Sequence, residues 1–265
     1  MRTCLVLRVF TRGADGGNHL GVVVDPAGLD TEAMQRIAAH LGFSETIFIH
    51  ERSAVPLIRI FTPVAEMPFA GHPLVGAAWT LRVHQGRGLD RVECAVGEIP
   101  LRLDGDRVWV DTPLVTDVEA ADDGPEVAEG AGLPTTGRIW WARMPIPYLM
   151  VEAPSAEAVV AADPDFGALL AGPAGEALCL FARDDSRVKS RFFAPGLGVP
   201  EDPATGSAAS ALAAVVSHEG EPEGRLTIAQ GDEIGHPSTI ELAWSPAAAS
   251  LGGTVEADGE RALDA

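Results

Sequence analysis

The stretch His72-Pro73-Leu74-Val75-Gly76-Ala77-Ala78 recurs, degraded, as Asp202-Pro203-Ala204-Thr205-Gly206-Ser207-Ala208. Both copies read polar residue, Pro, two variable residues, Gly, small, Ala. Each follows an apolar segment ending in Phe-x-Pro: Phe61-Thr62-Pro63 before the first and Phe193-Ala194-Pro195 before the second. One motif used twice in one chain predicts two similar lobes and a site assembled from matching pieces. Each copy carries helix-start chemistry. Asp202 is a good N-cap and Pro203 suits the first helical position, with His72 and Pro73 as a weaker version. The first turn of a helix has N–H groups without helical partners and carries partial positive charge, so such starts suit an anion, most simply a carboxylate. Gly71 and Gly206 let a ligand approach the backbone closely.

Outward from these motifs, the remaining elements follow from periodicity and punctuation. Strands are expected at Thr3–Phe10, Leu20–Asp25, Ser44–Ile49 and Leu57–Phe61. A helix is expected over Thr31–Leu41, where Met34, Ile37, Ala38 and Leu41 recur at helical spacing and Gly42 ends the run. The first central helix should run from about Pro73 to Val83, followed by Arg91–Val96 and a hairpin of Ile99–Leu103 with Val108–Asp111. Thr112–Gly137 is rich in Pro, Gly, Asp and Glu and reads as a linker. The second half then repeats the first: strands at Tyr148–Val151, Ala177–Ala182 and Val188–Phe193, a helix at Ala156–Ala162, the second central helix at Pro203–Ser217, and closing strands at Leu226–Gln230 and Thr239–Trp244. The fold class is therefore α+β, with two pseudo-symmetric lobes, each a mostly antiparallel, barrel-like sheet wrapped around a central helix. The lobes are expected at 1–112 and 113–265, with the final residues able to pack back on the first.

Composition narrows the function classes. A net charge of −19 argues against nucleic-acid binding. No apolar run reaches membrane-spanning length, and Met1-Arg2 leads into a strand-like run without a signal-peptide pattern. Cys4, Cys94 and Cys179 are odd in number and far apart, with no metal-ligand spacing. Cys4 and Cys179 read as buried thiols, and a reducing cytoplasm fits. Lys189 is the only lysine and lies in a strand, so it is a weak candidate for Schiff-base chemistry.

Glu45 is the residue out of place. Along Phe43–Ile49, the alternation puts Phe43, Glu45, Ile47 and Ile49 on one face, and three of these four are large and apolar. That face should point inward and carry Glu45 with it. Desolvation would then raise the carboxyl pKa towards the range where it both takes and returns a proton. The bland reading is a strand end that reaches solvent. Glu66 reads as a structural or loop residue. His72 is either a proton relay or an N-cap with a polar ring. Asp202 could orient a substrate amine or hydroxyl while it caps its helix.

Ser44-Glu45-Thr46, Phe61-Thr62-Pro63, Phe69-Ala70-Gly71-His72-Pro73, Glu201-Asp202-Pro203-Ala204-Thr205-Gly206-Ser207-Ala208, Gln230-Gly231 and Pro237-Ser238 together resemble the phenazine-biosynthesis PhzF-like isomerase family, in family order and across most of the chain. The resemblance implies a diaminopimelate epimerase-like fold, a homodimer, a cleft site between lobes, and no cofactor or metal. It implies acid/base isomerisation of a small carboxylate-bearing metabolite, of the dihydro-hydroxyanthranilate type. Catalytic roles carry over to Glu45, His72 and Asp202, and substrate binding to Gly71, Thr205, Gly206 and Ser207. The related epimerases use two cysteines, and the matching positions here are read as Ala70 and Pro203, which favours a single-base isomerase. The alternatives are an epimerase or racemase of an amino acid-like substrate and a non-catalytic small-anion binder. Two departures stand out: Gly17-Asn18-His19 in place of Gly-Asn-Pro, and Gly235-His236-Pro237-Ser238 in place of Gly-Arg-Pro-Ser.

Overall fold

Asp30, Gly42 and four apolar residues make the first helix. The Asp30 carboxylate accepts from the Ala33 N–H at 2.8 Å, and Gly42, at φ 68°, closes the last turn with its N–H on the Ala38 carbonyl. Met34, Ile37, Ala38 and Leu41 bury against Cys4, Val23, Phe48 and Phe61. A large apolar side chain buried in this way contributes about 1.5–3 kcal/mol. The computed structural model describes residues 2–51, 54–113, 115, 117–143, 146–172 and 177–263. Its chain divides into two compact units, one running to Thr112 and resuming at Leu251, the other spanning Pro113–Ser250.

The first unit contains β1 (Arg2–Val9), β2 (Asn18–Val24), α1 (Thr31–Leu41), β3 (Glu45–His50), β4 (Leu57–Phe61), β5 (Glu66–Met67), α2 (Gly71–Trp79), β6 (Arg91–Cys94), β7 (Gly97–Asp104) and β8 (Arg107–Pro113). The second contains β9 (Val118–Ala120), α3 (Gly124–Gly130), β10 (Ile139–Arg143), β11 (Pro147–Glu152), α4 (Ala156–Ala161), α5 (Phe166–Ala171), β12 (Leu178–Asp184), β13 (Arg187–Ala194), β14 (Val199–Asp202), α6 (Gly206–His218), β15 (Gly224–Gln230) and β16 (Ser238–Trp244). β17 (Ala248–Gly253) and β18 (Val255–Leu263) end the chain, and β18 pairs with β1.

The duplication shows in the pairing. The first sheet runs β18-β1-β2-β3-β4-β6-β7, and the second runs β9-β10-β11-β12-β13-β15-β16. Parallel joints fall at the same two places in each: β2 with β3 and β4 with β6, then β11 with β12 and β13 with β15. The other joints in both series are antiparallel. β18 fills in the first sheet the edge place that β9 fills in the second.

Each sheet wraps one small-residue helix. α2 packs against β1, β2, β3, β4 and β18, and α6 against β9, β10, β11 and β16. Gly76 sets how closely α2 approaches its sheet, since a Cβ there would collide with Leu20 and press on Val9. α6 buries Ala208, Ala209, Ala211, Ala213 and Ala214. The four-residue hydroxyl bonds Thr80 to Gly76 and Ser210 to Gly206 satisfy the buried side chains.

Three expectations need correction. The Thr112–Gly137 stretch is more than a linker: it contains β9 and α3, with α3 backed by Ile139, and Leu114 and Thr116 lie outside the described residues. Its Pro and Gly mark the ends of short elements. Phe43 does not share the face of Glu45. It lies before β3, packs with the α1 cluster and stacks on the His19 ring at 5.7 Å. The third concerns the helix starts. α2 begins at Gly71, so His72 lies inside its first turn and Pro73 is its third residue. α6 begins four residues after Asp202, with Thr205 as the cap residue, while Asp202 ends strand β14. By helix register, Ala70-Gly71-His72 corresponds to Thr205-Gly206-Ser207, and the partner of Ala70 is Thr205 rather than Pro203. The sequence repeat, which aligns His72 with Asp202, is thus offset by five residues from the structural one, which aligns His72 with Ser207, because the strand pairing of β14 with β13 holds Asp202 extended.

Candidate active site

In the first unit, Glu45 opens β3 and pairs in parallel register with Leu20 of β2. Leu20 faces α2, where it meets Gly76. Register neighbours point to the same side of a sheet, so Glu45 faces the central helix. Its side chain is 18 % exposed, and its Oε2 lies 3.3 Å from Nδ1 of His72, which is 3 % exposed. Burial pushes the His72 ring down to about 3, partly offset by a hydrogen bond to the His19 carbonyl. The pair is therefore a carboxyl beside a neutral imidazole, not an ion pair. His72 Nε2 is buried with no hydrogen-bond partner among the described residues. Together with the bond to His19, this assigns the ring proton to Nδ1 and the lone pair to Nε2. Gly71 directly precedes this ring.

The depressed His72 value has a consequence for stability. The unfolded ring takes up its proton near pH 6.5, and the folded ring does so only near pH 3. The contribution is fully present above the unfolded value and is lost as pH falls from about 6.5 towards 3, on the order of a few kcal/mol. Urea unfolding from pH 7.5 to 4 should show this loss, with a shallower slope in His72→Gln. Parallel slopes in the two proteins would contradict the assignment.

His19 lies outside that pair. Its ring stacks on Phe43 and approaches Asp258 of β18 at 3.3 Å, while Arg261 lies over Phe43 at 4.6 Å. Its main chain, rather than its ring, reaches His72. Glu66 holds Arg59 through two hydrogen bonds of 2.7 and 2.6 Å, a structural role.

In the second unit, Asp202 and Thr205 are buried side by side, and Thr205 Oγ1 donates to Asp202 Oδ2 at 2.6 Å. The hydroxyl that would cap α6 is thereby diverted. α6 has no side-chain cap, and α2, whose cap residue is Ala70, has none either. α1, α4 and α5 are all side-chain capped. Gln230 supports the turn: its Nε2 donates to the Asp202 carbonyl at 2.8 Å and to Thr205 Oγ1 at 3.0 Å, and its Oε1 accepts from Ser190 at 3.3 Å. Gly206 and Ser207 form the start of α6, where Ser207 Oγ accepts from the Tyr148 phenol at 2.8 Å. Behind Asp202, Arg191 grips Glu201 through two bonds of 2.8 Å, both side chains 8 % exposed.

Gln230 and Tyr148 have roles that no local sequence signal marks. Gln230 was visible only as part of a motif, and Tyr148 only as the one tyrosine of the chain. His236 contributes its main chain to the turn, with its N–H on the Gly231 carbonyl at 2.9 Å. Gly231, at φ 83°, has no room for a side chain: a Cβ would meet the carbonyl oxygens of His236 and Pro203. Gly231→Ala should cost about 2–5 kcal/mol, from the left-handed backbone and overpacking together. A thermal midpoint within one degree of the parent would contradict this.

Lys189 and the three cysteines are paired or buried. Lys189 is ion-paired to Asp232 and Glu233 at 2.8 Å each. All three cysteines are buried and unpaired: burial raises Cys94, and pushes Cys4 to about 11 and Cys179 to about 12. None is a thiolate at neutral pH.

The sequence profile of the phenazine biosynthesis-like proteins matches residues 7–259. The chain belongs to the PhzC–PhzF family. Within it, the chain is 36 % identical over 250 residues to the trans-2,3-dihydro-3-hydroxyanthranilate isomerase of Pseudomonas chlororaphis, covering 91 % of this chain and 89 % of that one. A PhzF family protein of Enterococcus faecalis has the same fold, with a TM-score of 0.85 at 24 % identity over 99 % of both chains. A predicted epimerase from Pseudomonas aeruginosa matches with a TM-score of 0.77 at 27 % identity over the full length of both. This PhzC–PhzF chain is an isomerase with the two-lobed α+β fold expected from its repeat.

Proposed function

We propose that this PhzC–PhzF protein isomerises a small carboxylate-bearing ring metabolite of the trans-2,3-dihydro-3-hydroxyanthranilate type, with Glu45 as the proton carrier. The observation that carries the reading is the inward carboxyl of Glu45 against a neutral, buried His72. In such a substrate, the C–H bond at the hydroxyl-bearing carbon is conjugated through the ring diene to the carboxylate. Glu45 as carboxylate removes that proton, the negative charge spreads over the ring, and Glu45 as acid returns the proton to another ring carbon. Atoms and charge balance without a further reactant.

The neutral His72 cannot act as a cationic acid at neutral pH. Its Nε2 accepts a hydrogen bond from the substrate, and Gly71 gives the backbone close approach. Ser207, Gly206 and the uncapped first turn of α6 hold the carboxylate, where unpaired N–H groups and the helix dipole favour an anion. Asp202, held by Thr205, receives a hydrogen bond from the substrate amine or hydroxyl. An epimerase of the two-base kind is disfavoured. Its thiols would have to be the masked cysteines, and His72, 3.3 Å from Glu45, cannot address the opposite face of a substrate that Glu45 attacks. The same reading takes the working protein as a cytoplasmic homodimer, and three buried, unoxidised cysteines suit a reducing compartment.

The test is to incubate the protein with trans-2,3-dihydro-3-hydroxyanthranilate and follow loss of its diene absorbance. Catalysed loss supports the reading, and a rate equal to the buffer rate rejects this substrate.

A further inference from the structure

We infer that Tyr148 is a positioning residue of this site, acting through Ser207 to aim the serine hydroxyl proton at the substrate carboxylate. The inference rests on the reading above, in which Ser207 holds that carboxylate.

Tyr148 sits on β11 with its ring buried against Phe192, 5.6 Å between centroids. Its phenol donates to Ser207 Oγ at 2.8 Å. A serine hydroxyl has one proton and two lone pairs. Once Tyr148 donates to one lone pair, the proton must leave in another direction about the Cβ–Oγ bond. Inside a helix, that proton commonly turns back to the carbonyl four residues earlier, as Ser210 does to Gly206 at 3.3 Å. Ser207 is the second residue of α6, and four residues back is Pro203, outside the helix. The helical ladder starts only with the Ala209 N–H on the Thr205 carbonyl. The Ser207 proton is therefore spared for the same anion that the first-turn N–H groups attract.

Replacing Tyr148 with Phe keeps the ring and removes only the phenol. The Ser207 hydroxyl then regains its freedom to rotate, and part of its time is spent with the lone pairs, not the proton, towards the carboxylate. That change acts on substrate binding and leaves the Glu45 proton transfer in place, so it should appear in KM rather than in kcat.

Tyr148 is the only tyrosine, so protein labelled at the tyrosine ring carbon bearing the phenol gives one NMR signal. Titration with anthranilate, a stable aromatic carboxylate, should move that signal saturably in the wild type and not in Ser207→Ala. Tyr148→Phe should weaken anthranilate binding about tenfold and raise KM for trans-2,3-dihydro-3-hydroxyanthranilate about tenfold, with kcat within about twofold. The double variant should bind no more weakly than Ser207→Ala alone, since the two side chains act as one unit. An unmoved wild-type signal, or unchanged anthranilate affinity in Tyr148→Phe, would overturn the inference. Protein that binds anthranilate in the Tyr148-dependent way, yet leaves the dihydro compound untouched, would support the inference and reject the substrate.

Discussion

Glu45→Gln is expected to lower kcat for isomerisation about 1,000-fold while leaving KM within about threefold. A positioned carboxyl acting as general acid or base is worth roughly 10²–10⁴-fold, and here one carboxyl serves both the removal and the return of the proton. Gln has the same shape and can do neither. Its amide still fits beside the neutral His72, so the thermal midpoint should move by only a few degrees. The measurement is a pair of progress curves with matched unfolding scans. A folded variant retaining a tenth of the wild-type kcat would remove Glu45 from the mechanism.

The second large effect concerns stability at the Asp202 turn. Glu201→Gln leaves the Arg191 guanidinium buried beside a neutral group, and breaking a buried pair in this way costs about 3–5 kcal/mol. The pairing is bidentate, both side chains are buried, and the Glu201 carboxylate holds the Arg191 guanidinium above its ordinary value. Arg191 also donates to the Ala162 carbonyl at 2.5 Å, tying β13 to the end of α4. Loss of the charge should lower the urea midpoint and also the activity, because Glu201 directly precedes Asp202. Replacing both partners, Arg191→Met with Glu201→Leu, should recover part of the stability that either single change loses. Equal stability of Glu201→Gln and the wild type would contradict the account.

The parts legible in the sequence were those set by local rules. Thr31–Leu41 and Leu57–Phe61 fall at the expected residues, because an Asp cap, a Gly terminator and clean periodicity act over a few neighbours. The two lobes were legible because a motif was repeated. The helix starts were not: His72-Pro73 and Asp202-Pro203 carry capping chemistry, but tertiary pairing extends β14 through Asp202 and spends the Thr205 hydroxyl on its carboxylate. Strand alternation points Glu45 inward, but it does not carry Phe43 with it, because the strand begins only at Glu45. The edge strands β9 and β18, and the partners Gln230 and Tyr148, leave no local signal, since each is defined by contacts far away in sequence.

The most direct measurement of the central claim is isomerisation in deuterated water with the product examined by NMR. Transfer by one carboxyl predicts wash-in below one deuterium atom at the ring carbon that Glu45 reprotonates when the carboxyl returns part of the original proton, with the enol left at the hydroxyl-bearing carbon taking solvent deuterium beside it as it ketonises, and labelled product formed about 1,000-fold more slowly by Glu45→Gln. Deuterium incorporation by Glu45→Gln at the wild-type rate would contradict the account.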